Sequence, residues 1–350
     1  MVPLRAEEPK KALYAASTNP PSIISLGQDG RLVYDTDERG NRVPDFSRCG
    51  YAGGDKTIPD TPVRVVVAPA SGDSAARIQK AIDVVAGLAP VTNGVRGAVL
   101  LLKGRHEVFG GLRLDASGVV LRGQRSGKDG TVLVAAGLDR RTLIRIVGRN
   151  DRTNHLGKSW EILDEYVPVG AMSFRVNNAS GLKPGDAVTI TRRSTQTWID
   201  RLGMTEFGGG QGDFRLRWKP GSRDLVWDRV ITQIDADRVT VDAPIMTAIE
   251  RAIGGGRVEV YSWPRRIGNV GLENVRLESV FDTRNPKDEN HSWMAITIEN
   301  AQDAWVRQVT AEHFAGSMVA IYESGKRVSV EDCVSLAPII GATRSSQWVR

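Results

Sequence analysis

Val270–Ser279 reads VGLENVRLES, Ala304–His313 reads AWVRQVTAEH, and Val328–Ala337 reads VSVEDCVSLA. Laid over one another, these segments put Leu272, Val306 and Val330 in one column. Asn274, Gln308 and Asp332 fall in a second column, and Val275, Val309 and Cys333 in a third. A strand motif that returns every few tens of residues points to a solenoid, because one such unit buries its apolar face only against its neighbours. The two apolar columns cannot both face inward at the two-residue period of a strand, so a bend must lie between them. Asn274, Gln308 and Asp332 sit at that bend, where an inward polar ladder of stacked side chains is expected. Glu273, Arg307 and Glu331 form an outward Glu–Arg–Glu row, either a surface ion-pair row or a row that binds substrate.

Upstream, Ser71–Val85 (SGDSAARIQKAIDVV) is the best helix. Asp73 or Ser74 can cap it, Ile78, Ala81, Ile82 and Val85 make one apolar face, and Gly87 and Pro90 end it. The period then changes. Ala98–Leu102, Lys103–Val108, Gly111–Leu114, Val119–Leu121 and Thr131–Val134 read as short strands broken by Gly, Asp and Ser. One helix followed by closely spaced strands suggests an all-β chain whose helix caps the stack.

The expected organisation has four parts: an N-terminal extension over 1–60, the cap helix and first coils over 61–139, an insertion or β subdomain over 140–265, and regular coils over 266–350. The extension holds an expected hairpin from Arg31–Tyr34 to Asn41–Val43 and a turn-rich stretch, Asp45–Gly54 (DFSRCGYAGG). The insertion contains strand-like Ser173–Val176, Ala187–Thr191 and Arg238–Val241, and a glycine-rich loop, Phe207–Asp213. That loop lacks the spacing and the strand–helix context of a nucleotide site, so it reads as a lip over a groove. Trp198, Trp218 and Trp227 lie around it and can stack on sugars or pack the insertion. Pro338–Arg350 shows no capping element, so the natural protein is expected to continue with more coils.

Of 350 residues, 41% are hydrophobic and 25% charged, an ordinary globular balance. The net charge of +6 suits an acidic partner, but the basic residues are scattered, which argues against nucleic acid. Cys49 and Cys333 are too few for a disulfide framework or a zinc pattern. No apolar stretch is long enough to span a membrane.

The run DFSRCGYAGG, the helix SGDSAARIQKAID, GAVLLLKGRHEV and SGVVLRGQ together resemble the N-terminal half of right-handed parallel β-helix proteins of the pectate-lyase superfamily. The resemblance covers roughly 45–135 and 266–340. It implies that the helix caps the open end of the β-helix and that VVLRGQ forms the second coil. It implies no single activity, because that superfamily includes polysaccharide lyases, glycoside hydrolases, epimerases and phage tailspikes. It points to a secreted or periplasmic carbohydrate-active protein.

On such a stack, outward side chains from successive coils lie about 4.8 Å apart and can line a groove for an extended polymer. The densest polar group is Asp288–Trp293 (DENHSW), which sets His291 beside Asp288 and Glu289, with Trp293 next to them. A carboxylate that orients a histidine makes an acid–base pair. His313 follows Glu312 and can approach from the next coil. Two reactions fit. β-Elimination on a uronate needs a cation at the carboxylate and a base for the C5 proton, and Arg307, Lys326, Arg327, His291 and His313 are the candidates. Hydrolysis needs two carboxylates, drawn from Glu289, Glu331 and Asp332. The basic charge favours the lyase. A non-catalytic glycan-binding β-helix is the third reading. Asp288, Trp293, Lys326, Arg327 and Glu273 are the candidate substrate-binding residues. Asp288, Glu289 and Asp332 are candidate oxygen ligands for Ca²⁺.

Overall fold

A computed structural model describes residues 23–29, 32–91, 93–154, 157–208, 216–322 and 324–340. The protein is an all-β molecule built from two kinds of sheet with separate cores. One is a set of three parallel ladders. The first ladder runs in the order Val63–Val67, Gly97–Leu101, Val119–Arg122, Ile267–Ser279, Ala301–Glu312 and Lys326–Glu331. The second joins Gly104–Val108 and Thr131–Ala135 to the later halves of Ile267–Ser279 and Ala301–Glu312, then to Val334–Leu336. The third holds Leu112–Leu114, Thr142–Val147, Met294–Glu299 and Val319–Ile321. The chain visits the ladders in the same order on each circuit, so every strand pairs with one from the circuit before.

The columns of the sequence are columns of the structure. Val99 pairs with Leu121, Leu121 with Leu272, Leu272 with Val306, and Val306 with Val330. Leu112, Ile144, Ile296 and Val319 make the matching column of the third ladder. Val99, Leu121, Leu272, Val306, Leu112, Ile144 and Ile296 are fully buried. Burying each such aliphatic side chain favours the fold by about 1.5–3 kcal/mol.

The bend lies where the columns require it. Asn274, Gln308 and Asp332 take φ of 52°, 55° and 52°. This left-handed conformation turns the strand from the first ladder to the second and admits Asn and Asp more readily than other non-glycine residues. Asn269, Asp303 and Arg327 form a second left-handed column, with φ of 54°, 51° and 52°. The expected inward polar ladder is corrected: Gln308 and Asp332 are exposed and Asn274 is half-buried. A left-handed corner swings its side chain away from the packed interior.

The helix spans Ala75–Ala86 and lays Ile78, Ala81, Ile82 and Val85 on the parallel core. Asp73 Oδ1 accepts the Ala75 N–H at 2.9 Å, and Gly87 closes the C-terminal end. The predicted N-terminal hairpin is shifted: Leu32–Tyr34 pairs with Ile24–Leu26 instead of the residues downstream.

Between Thr153 and Ser262 the pairing is antiparallel. Ala187–Arg192 lies between Leu225–Asp235 and Gly256–Ser262, and Arg238–Val241 joins Leu225–Asp235 to Ser173–Arg175. Trp160, Phe174, Val176, Val188, Ile190, Val239 and Val258 make its own core. At Ile267 the chain re-enters the parallel ladders.

Candidate functional site: a cleft beside an N-terminal strap

Residues 45–58 cross the outer face of the first ladder as a strap. Asp45 starts it by accepting the Ser47 N–H at 2.9 Å. Gly50 and Gly54 are both left-handed, and a Cβ on Gly54 would lie 2.3 Å from the Ser47 carbonyl. This explains the glycines of CGYAGG. The Tyr51 N–H donates to Ser329 Oγ at 2.9 Å, the Tyr51 hydroxyl to Asn269 Oδ1 at 2.8 Å, and the Ala52 N–H to Asp303 Oδ1 at 3.1 Å. The strap is thus fastened to three successive circuits.

Under it lies a sealed polar cluster. Glu273 is completely buried. It accepts from Arg122 Nε at 2.7 Å, Trp305 Nε1 at 2.7 Å and Arg307 Nε at 3.0 Å. Trp305 fits only because residue 271 is glycine: a Cβ there would fall 2.1 Å from the indole. Tyr51 meets Trp305 edge-on at 5.2 Å. The Glu–Arg–Glu row is in register, since Glu273 pairs with Arg307 and Arg307 with Glu331. It is not an open row, however. The strap covers Glu273, so that carboxylate does not face a groove. Arg307 and the exposed Glu331 line a hollow of about 340 Å³ with Cys49, Lys56 and Ser329.

On the strap's other side is a cleft of about 620 Å³. Its walls are the strap, Asp228, Arg229, Asp242 and Met246 from the antiparallel part, and Ile321, Lys326 and Arg327. Asp228 is the hub. Lys326 Nζ donates to its Oδ1 at 2.8 Å, the Tyr261 hydroxyl to Oδ1 at 2.8 Å, and Arg266 to Oδ2. Burial pushes the Asp228 carboxyl up, but the charges of Lys326 and Arg266 outweigh this and hold it below the usual range. Burial, with the nearby Asp228 charge, pushes the Tyr261 hydroxyl well above its ordinary value. Asp242 accepts the Val230 N–H at 2.8 Å. Arg327 of the same wall reaches Asp303 at 2.6 Å.

Two cations of the cleft hydrogen-bond carbonyl oxygens instead. Arg229 donates to the carbonyls of Ala243, Asp228 and Pro244 at 3.0, 2.9 and 2.7 Å. Arg48 donates to the Asp242 carbonyl at 3.3 Å. Among the described residues no carboxylate oxygen lies within 4.0 Å of either guanidinium. Desolvation lowers the Arg229 pKa, with Asp242 and Asp228 opposing the shift. Exposed Phe46, Met246 and Ile321 stand in the same walls. Charged forks beside apolar side chains can hold a sugar acid, one binding the carboxylate and the other the C–H face of the ring.

The DENHSW residues gather elsewhere. His291 is fully buried. Its Nε2–H donates to the Ile339 carbonyl at 3.1 Å, so Nδ1 accepts from the Ser279 hydroxyl at 2.8 Å. A carbonyl accepts only, which fixes the tautomer. Both ring nitrogens are thus engaged within the protein, and the ring does not open onto the cleft lining. Asp288 accepts the N–H groups of Asp282 and Asn290, each at 2.9 Å, and they hold its carboxyl low. Arg140 reaches Glu289 at 3.4 Å and lies 4.7 Å over the Trp293 ring. His313 packs edge-on against Phe281 at 5.0 Å, and its Nε2 is 3.9 Å from Glu312. Asp288 and Glu289 do not converge with Asp332, and among the described residues no group of three or more His, Cys, Asp or Glu gathers to hold a metal.

The second ladder places Glu278 and Glu312 on adjacent circuits, both bound to the buried Arg276. Burial pushes the Glu278 carboxyl up, but Arg276 and Arg105 hold it below the usual range. The tryptophans are also engaged. Trp198 and Trp218 stack on each other at 5.7 Å, and Arg192 and Arg223 lie over the two rings. Trp227 packs on the antiparallel core. Part of the glycine-rich lip, residues 209–213, lies outside the described residues, as do 341–350.

Of the candidate residues, Lys326 and Arg327 line the cleft, beside Asp228, Arg229, Asp242 and Arg48, which the sequence did not single out. Asp228 and Arg229 form a charged pair inside the otherwise apolar LVWDRVI, the one signal for either.

No family model matches the chain, and no curated protein matches it. Tailspikes are among the solved structures similar to it. The tailspike gp61 of Pseudomonas phage phi297 is 11% identical, with a TM-score of 0.40 over 76% of this chain and 42% of that one. The Gp54 tailspike of Acinetobacter baumannii bacteriophage AP22, solved in complex with A. baumannii capsular saccharide, is 10% identical, with a TM-score of 0.32 over 76% and 43%. The tailspike gp49 of Pseudomonas phage LKA1 is 14% identical, with a TM-score of 0.36 over 72% and 34%. The chain thus spans less than half the length of each.

Proposed function

We propose that this chain is a right-handed parallel β-helix that binds an acidic polysaccharide, with the cleft beside the strap as its binding site. The observation that carries the reading is the pair Arg48 and Arg229, which line a cleft of about 620 Å³ and hydrogen-bond carbonyl oxygens there instead of carboxylates. A uronate or other sugar acid brings a carboxylate to which a guanidinium fork donates two hydrogen bonds. Phe46, Met246 and Ile321 give the ring's C–H faces an apolar contact.

Binding fits the geometry better than cleavage. β-Elimination needs a free base beside the cation that neutralises the uronate. The lysine of the cleft is held by Asp228, and His291 is buried with both nitrogens engaged. The non-catalytic form of the glycan reading is therefore preferred to the lyase.

Calorimetric titration with uronate-containing and neutral polysaccharides tests this. The acidic polymer is expected to bind, and Arg229→Ala to weaken it roughly 10- to 100-fold, the loss of one charged hydrogen-bonding group. Equal binding of neutral and acidic polymers, or full affinity in Arg229→Ala, overturns the proposal. New reducing ends, or ultraviolet absorbance from a C=C bond, mark hydrolysis or elimination and replace the binding-only reading.

A further inference from the structure

At the start of the stack each ladder ends in a strand with one bare edge, and the cap helix Ala75–Ala86 treats the three edges unequally. Leu112–Leu114 ends the third ladder, and Gln79 lies along its edge. Gln79 Nε2 donates to the Arg113 carbonyl at 3.0 Å, and Oε1 accepts the Arg113 N–H at 2.9 Å. Gly104–Val108 ends the second ladder. There the Ser74 N–H donates to the Glu107 carbonyl at 2.7 Å, and the Phe109 N–H to Asp73 Oδ1 at 3.2 Å. Val63–Val67 ends the first ladder and pairs with Gly97–Leu101 alone. Arg77 Nη1 reaches the Ala68 carbonyl at 2.8 Å, one residue past that strand. Among the described residues no strand or side chain closes the outer edge of Val63–Val67 itself.

The open edge has the parts of a strand-binding slot. The Leu102 N–H donates to the Val67 carbonyl at 2.9 Å, so that group faces Gly97–Leu101. Backbone groups alternate in direction along a strand, so Val66 turns its N–H and C=O to the bare side. Residues 65–68 on one side and Arg77, Lys80 and Val84 of the helix on the other enclose a hollow of about 280 Å³. Val66 and Val84 are exposed by 54% and 50%. The charges that line the hollow have one sign. Arg77 and Lys80 are exposed, and among the described residues Lys80 pairs with no carboxylate. The helix has one acid, the exposed Asp83. It accepts from Gln79 at 2.9 Å on the flank that faces Leu112–Leu114, and it does not line the hollow.

We propose that this edge docks an extended acidic segment of a partner polypeptide, which adds a strand beside Val63–Val67. The partner's backbone meets the N–H and C=O of Val66, its apolar side chains lie on Val66 and Val84, and its carboxylates meet Arg77 and Lys80. A polysaccharide offers no alternating amide donors and acceptors at strand spacing. A second copy of this chain, paired edge to edge, sets cations against cations. Residues 1–22 carry three basic and two acidic residues, so their charge does not complement the slot either. The slot shares no residue with the cleft beside the strap, and the two sites are independent.

Titration of the full chain with a capped peptide of about six alternating valines and glutamates tests the proposal. This peptide is expected to bind, and its valine–lysine counterpart is not. On binding, the Val66 amide should gain protection from hydrogen exchange. Lys80→Glu should weaken the complex about fivefold. Val66→Pro removes the N–H that faces the bare edge, a change that edge strands accept, and should weaken it about tenfold or more at an unchanged melting temperature. Methylating alternate amides of the peptide tests the same hydrogen bonds without altering the protein, and should cost about tenfold or more. Equal binding of the lysine peptide overturns the proposal. So does full binding of the methylated peptide, which is charge adsorption alone. A Val66 amide already protected in the full chain without peptide shows the edge covered by this chain or by a second copy, and overturns it as well.

Discussion

The parallel ladders and the antiparallel sheet solve the same problem, burying apolar strands, with different bookkeeping. In the ladders a residue's neighbours are its counterparts one circuit away. Glu273 meets Arg122, 151 positions back, and Arg307, 34 positions on, because all three share one column. In the antiparallel sheet the turns set the partners: Ala187–Arg192 pairs with Leu225–Asp235 and Gly256–Ser262 through loops of unrelated length. A ladder repeats its errors as well as its contacts, so damage in one column is felt by the circuits on either side. Damage in the antiparallel sheet is confined to its own core.

Glu273→Ala should give the largest loss. It strips the partner from two guanidiniums and an indole N–H in a sealed site, a change worth about 3–5 kcal/mol. Denaturant unfolding measures it. A cost below about 1 kcal/mol, the range of an exposed pair, means that the strap does not exclude water. Phe174→Ala removes a buried ring from the other core and should also cost about 3–5 kcal/mol. Its signature is different. Amides of Val188, Ile190 and Val239 should lose protection from hydrogen exchange while those of Leu121, Leu272 and Val306 keep theirs. If both sets fail together, the two cores form one cooperative unit and the contrast collapses.

Acid provides a subtler probe, because one histidine lies inside the ladders. His106 is fully buried, Nε2–H donates to the Leu102 carbonyl at 3.0 Å, and Nδ1 has no partner among the described residues. Burial lowers its pKa, so the unfolded chain takes up a proton more readily than the folded one. Its stabilising effect is present above the ordinary histidine value of about 6.5 and is lost as pH falls below it. His106→Leu should flatten the acid limb of ladder stability, read by exchange at Leu121 and Leu133. An unchanged slope would remove His106 from that account.

What was legible in the sequence follows from the same contrast. The column Leu272, Val306 and Val330, the bend after it, and the helix Ala75–Ala86 all have a period, and period survives in one dimension. Alternation also told that Glu273 points out of the ladder core. It did not tell what lies over that side. The strap reaches Asn269, Asp303 and Ser329 across more than 200 residues, with no repeat to announce it. The cleft failed for the same reason, since Asp228 and Lys326 are 98 positions apart on different sheets. His291 looked reactive beside two carboxylates, but Ser279 and Ile339, which engage it, lie 12 and 48 positions away, outside the motif.

The corner columns give the smallest test and the finest one. Asn274, Gln308 and Asp332 share one left-handed conformation but not one residue type. Asn and Asp hydrogen-bond locally and tolerate it, whereas Gln has the longer side chain and gains less. Left-handed backbone costs an ordinary residue about 1–2 kcal/mol, and glycine escapes this at the expense of about 0.5–1 kcal/mol of chain entropy. Gln308 is exposed, so Gln308→Gly removes no packing. The change should stabilise the ladders by up to about 1 kcal/mol, read from the denaturation midpoint. Gly for Arg307, one residue earlier in the same strand, should do the opposite, because that position is extended and binds Glu273. If both changes destabilise, the corner is held by its side chains and not by its backbone, and the ladder turns for a different reason than the columns imply.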